Sequence, residues 1–141
     1  MRKLGPERGS ATLEMVIVIP AMLLMIAAII MAGRLAMAQQ AMQTVANDAA
    51  RAASLARTSS EARREADTVF TYALAMNGLA CTSTNVEVDT AGFSRPVGAA
   101  ATVTADVSCR VPLGDLSLPG VPGTIVIQAT GISPIDTYRE R

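Results

Sequence analysis

RGSATLEMVIVIPAMLLMIAAIIMAG, residues 8–33, decides how the rest of the chain is read. Arg8 and Gly9 precede Ser10, one carboxylate follows at Glu14, and Met15 to Gly33 is a run of 19 residues without a charge. At helical rise that run measures about 28 Å, enough with its flanks to cross a hydrocarbon core of about 30 Å. Arg2, Lys3 and Arg8 stand before it, whereas Arg34 is the one cation closely following it. This bias predicts an N-terminus in the cytoplasm and residues beyond about 35 outside. Pro20 is tolerated within such a helix, where it can introduce a kink, because neighbouring groups satisfy the freed carbonyl. The rival reading is a cleaved secretory signal ending at Ala36-Met37-Ala38, a small-residue junction of the A-x-A kind. Against it, the apolar stretch is longer than a signal core and carries a glutamate at its start.

The carboxylate at the lip of the run is the unusual feature. A charge in hydrocarbon is costly, about 2.5–3.5 kcal/mol for Asp at a helix centre and less near an edge. Snorkelling into the cytoplasmic interface is one way for Glu14 to be tolerated. Cleavage after Gly9 supplies another, because it would leave a free α-amine on Ser10 and make Glu14 the fifth residue of the mature chain. An ammonium and a carboxylate in a low-dielectric layer attract each other far more strongly than in water. A subunit presenting both can pair with its neighbour.

Residues 1–9 read as a polar leader, with Gly5-Pro6 and Gly9 as helix breakers. From Ser10 to about Arg57 the pattern predicts one continuous helix of some 45 residues. Beyond the membrane, Met42, Val45, Ala46, Ala49, Ala53 and Ala56 form one stripe, and Gln40, Gln43, Thr44, Asn47 and Arg51 another face. Thr58-Ser59-Ser60-Glu61 has the spacing of a capping box and starts a second helix, which Asn77-Gly78 ends. That helix should fold back on the alanine face of the first. The period then changes from 3.6 to 2. Ala101–Val111 alternates as a strand, and Val86–Asp89 and Ile125–Gln128 read as shorter strands. The connectors Thr90–Gly98 and Pro112–Gly123 are too short for crossover helices, so the strands should form an antiparallel meander. The predicted class is α+β: a long transmembrane helix continuing outside the membrane, a second packed helix and a sheet of about three strands. Its segments are a leader at 1–9, the long helix at 10–57 with its transmembrane part at about 15–33, and an extracytoplasmic head at 58–141.

Gly9-Ser10-Ala11-Thr12-Leu13-Glu14 followed by an apolar helix resembles the prepilin-peptidase site of type IV pilins and pseudopilins. More narrowly, that stretch with Arg8, Pro20, Gly33-Arg34 and Gln40…Ala49-Ala50-Arg51-Ala52-Ala53 resembles the TadE-like minor pilins of tight-adherence pilus systems. The Pro134-x-Asp136-x-Tyr138-Arg139 ending is similar to that family as well. Met15 stands where these families often carry an aromatic residue. The resemblance implies processing by a prepilin peptidase between Gly9 and Ser10, and a role for Glu14 in subunit assembly. It also implies pilus assembly machinery and other pilins as partners, with the protein in the cytoplasmic membrane or the fibre. Ala27, Ala28 and Ala32 are expected to contact another subunit, since small residues let helices approach closely.

Cys81 and Cys109 lie on the same side of the apolar run. In an oxidising compartment they should form a disulfide worth about 3–4 kcal/mol by the loop-entropy model. Two buried thiols or a metal site are the alternatives, the latter disfavoured in a chain with no His. Composition speaks against catalysis: there is no His, and the single lysine is Lys3 in the leader. Asp106, Asp115 and Asp136 are isolated in sequence. With 12 basic and 12 acidic residues, no net charge draws the chain to nucleic acid, and no cofactor is expected. The reading is a structural pilus component. Its alternatives are an uncleaved single-pass protein with a partner-binding head, and a small secreted binding module released after Ala38.

Overall fold

The structure, a computed structural model, describes residues 10–116 and 123–138. The leader at 1–9, with Gly9, lies outside the described residues, as does Arg139. Helix α1 spans Ser10–Leu55, α2 spans Ser59–Met76, and strands β1, β2 and β3 span Ser83–Asp89, Ala101–Pro112 and Thr124–Ile135. A 3-10 turn at Ala91–Ser94 and a single helical turn, α3, at Leu113–Leu116 lie within the connectors. The class is α+β, with sheet order β1-β2-β3 and both pairings antiparallel.

α1 is 46 residues long and runs unbroken through Pro20, a length of about 69 Å at helical rise. From Glu14 to Arg34 it is exposed except at half-buried Ala27; its second half is the central member of the head. Met42, Val45, Ala46, Ala49, Ala50 and Ala53 are fully buried. α2 packs on α1, and so do β2 and β3. The alanine stripe is thus shared between a helix and a sheet, not covered by α2 alone. Against it lie Ala62, Ala66 and Phe70 of α2, and Val103, Ala105, Val107 and Cys109 of β2.

Local chemistry sets the ends of α2. Thr58 is extended, with φ −128° and ψ 155°, and its Oγ1 accepts from the Glu61 N–H. Glu61 reaches back as a capping-box glutamate does, but its Oε2 accepts from Arg57 N–H, one residue before the cap. At the other end Gly78 takes φ +65°, Gly78 N–H donates to Ala75 O and Leu79 N–H to Leu74 O. This is the Schellman arrangement, and it needs a residue tolerant of the left-handed region.

β3 is three times as long as the four residues read from sequence, and β1 begins at Ser83, three residues earlier than expected. The extension of β3 crosses Gly131 and Pro134, both ordinarily strand breakers. Gly131 is where the helix and sheet come closest. A Cβ there would collide with the Ala46 carbonyl and come within 2.8 Å of Asn47 N.

Candidate functional site

Two regions carry the functional expectations: the N-terminal half of α1, and the cross-linked base of the sheet. Ser10 opens α1, and Glu14 follows four residues on, about 6 Å along the axis. The Glu14 side chain is exposed. From Met15 to Met31 nearly every large apolar side chain is exposed, Leu24 at 72 % and Ile17 at 69 %. Among the described residues α1 is the one helix long and apolar enough to cross a membrane, and none of its most apolar window is buried by the rest of the chain. Gly33 has open space around its Cα and Ala28 and Ala32 are exposed, so this face packs on nothing among the described residues.

Cys81 and Cys109 are joined in a disulfide with Cα atoms 5.5 Å apart. Cys109 sits on the inner face of β2 and is 1 % exposed, while Cys81 is half-buried against the same core. The bridge ties the segment after α2 to the central strand.

The carboxylates that are scattered in sequence meet other partners. Asp136 Oδ1 accepts from Tyr138 N–H at 3.0 Å. Asp106 Oδ1 accepts from Thr130 Oγ1 at 2.6 Å, and Asp106 stands directly opposite Glu87 in the β1–β2 ladder. That juxtaposition depends on strand register and was not legible in the sequence. Both groups lie on the open polar face of the sheet, among Asn85, Ser108 and Gln128. Among the described residues no group of three or more His, Cys, Asp or Glu is placed to hold a metal.

Polar contacts that the periodicity did not reveal clamp α1 to β3. Gln43 Nε2 donates to Thr130 O at 2.8 Å, and Ser133 Oγ donates to Ser54 Oγ at 3.0 Å. Ser54 is the buried polar side chain of the core, and its Oγ donates to Arg51 O.

Taken together, these features define a protein whose small disulfide-bonded head folds around the C-terminal half of its own membrane-length helix. Residues 9–51 match the family model described as TadE-like protein. The matched stretch includes Gly9, Ser10, Glu14 and the apolar run and ends within the buried alanine stripe, so the resemblance read from those residues is shown there. Over that stretch the chain is similar to TadE-like proteins. No curated protein and no solved structure matches the chain.

Proposed function

We propose that the protein is a minor pilin or pseudopilin, a structural component in the biogenesis of a tight-adherence pilus, processed between Gly9 and Ser10. The observation that carries this reading is the TadE-like match at 9–51, which spans the Gly9–Ser10 junction, the carboxylate and the apolar helix. A prepilin peptidase removes the leader. The new α-amine of Ser10 and the Glu14 carboxylate then serve as complementary charges between neighbouring subunits in a medium of low dielectric. Pairing matters there because an unpaired charge is far more costly than in water. The exposed face of α1 around Ala28, Ala32 and Gly33 offers other pilins a close helix–helix approach. The N-terminus lies in the cytoplasm and the head outside, in keeping with Arg2, Lys3 and Arg8 before the run.

Release as a secreted module after Ala38 is disfavoured by packing. Ala38 is buried and Leu35 packs on the core, both within an unbroken helix. Intact mass and N-terminal sequencing of the mature protein test the proposal. A chain beginning at Ser10 supports it, one beginning at Met1 identifies an uncleaved anchor, and one beginning at Gln39 overturns the pilin reading.

A further inference from the structure

The apolar run ends at Gly33, and Leu35 already packs against the core of the head. Two residues of helix are about 3 Å, so no stalk separates the apolar segment from the head. The direction of β3 shows which end of the sheet faces that segment. Gly131 abuts Ala46 and Ser133 bonds Ser54, so β3 ascends in the same sense as α1. Stepping back from Gly131 to Val126 covers about 17 Å of strand. Stepping back from Ala46 to Arg34 covers about 18 Å of helix. α3 touches α1, and Leu113 N–H donates to Gly123 O at 2.9 Å. The end of β2 and the start of β3 therefore form the base of the head, beside the end of the apolar run.

This base differs chemically from the rest of the head. Thr68–Val86 contains no charged residue, and Val111–Ile135 contains one, Asp115. The charges of α2 are confined to its first half, between Glu61 and Asp67. On the outer face near the base, Val126 is 47 % exposed and stands opposite Arg110 in the β2–β3 register. Arg110 O accepts from Thr82 N–H on the β1 side, so Arg110 and Val126 are a non-hydrogen-bonded pair, the closer-spaced kind. The Arg110 side chain is exposed, with no side-chain partner among the described residues. Arg34, at the end of the apolar run, is exposed as well.

We propose that the base of the head is seated on the lipid bilayer, with Val126 in the headgroup layer and Arg110 and Arg34 on lipid phosphates. The inference rests on α1 being the anchor, which holds a bilayer within a few ångströms of this surface. The exposed cations complement the negative charge of phosphate, and a guanidinium can bind it bidentately. A long Arg beside an exposed Val suits an interface with one apolar and one charged side.

The chain has no Trp, so single Trp variants report one position each. Leu24→Trp, Val126→Trp and Tyr138→Trp are placed in the full chain. Each is reconstituted in phosphatidylethanolamine–phosphatidylglycerol vesicles whose acyl chains are brominated near the headgroup. Loss of emission is expected for Leu24→Trp and Val126→Trp but not for Tyr138→Trp, which lies beyond the far end of β3. Adding Arg110→Glu to Val126→Trp should restore its emission, and equal quenching with and without that change overturns the role of Arg110. Quenching at Leu24→Trp without quenching at Val126→Trp overturns the seated head and leaves the anchor standing. No quenching at Leu24→Trp overturns the anchor itself.

Discussion

Gly131 concentrates the packing logic of the head in one residue. Its missing Cβ lets β3 approach the Ala46 carbonyl and Asn47 N. The clash made by any side chain there is with helix backbone, which has no rotamer to escape into. Gly131→Ala should therefore cost at least the 1–3 kcal/mol, roughly, that overpacking costs in cores, read as a lower denaturation midpoint. Ser54→Ala should cost about 1 kcal/mol, because the half-buried Ser133 hydroxyl loses its acceptor. Glu14 belongs to another kind of residue, exposed and without a role in the head. Glu14→Ala is expected to leave processing largely intact and to abolish assembly, assayed by mature-chain mass alongside pilus-dependent adhesion. Normal pili in that variant would exclude the pairing role.

At the scale of elements, β3 shows how a strand can contain residues that ordinarily break one. Gln43 binds the Thr130 carbonyl from outside the sheet, so at Thr130 the main chain faces away from β2. Outward-facing residues alternate along an antiparallel strand, which gives Pro134 the same orientation as Thr130. Its missing N–H is thus on the free edge, and the ladder to Thr102 loses nothing. Thr130-Gly131 and Pro134 look like strand ends in sequence because neither the edge position nor the approaching helix is visible there. The ends of α2, by contrast, were legible, since capping depends on neighbours within a few residues. Thr58→Ala should lower stability by about 1 kcal/mol. Replacing both cysteines with Ala should lower it by about 3–4 kcal/mol by the loop-entropy model, measured as the shift in unfolding free energy of the oxidised protein.

On the scale of the whole molecule, α1 is two things at once. From Met15 to Met31 it is exposed apolar surface, and its second half is the core around which α2 and the sheet assemble. The head therefore has no complete core without residues 35–56. A fragment 35–141 should remain folded with its disulfide intact, whereas 57–141 should lose cooperative unfolding, because it lacks Met42, Val45 and the buried alanines. Circular dichroism across a thermal scan of the two fragments decides the point. This shared helix also couples the apolar segment to the head: with Leu35 in the core, tilting one tilts the other.

What the sequence determined by itself was everything written in local or periodic signals. These were the charge-free run after Glu14, the long helix, the cap and stop of α2, the alternation of β2 and the likeness to TadE-like proteins over residues 9–51. Only the tertiary structure decided how the alanine stripe is divided between α2 and the sheet, how far β3 extends, and that Glu87 faces Asp106. It also brought Arg110 and Val126 together near the end of the apolar run. Each of these depends on contacts between residues distant in the chain, where register and close approach, not composition, determine which atoms meet.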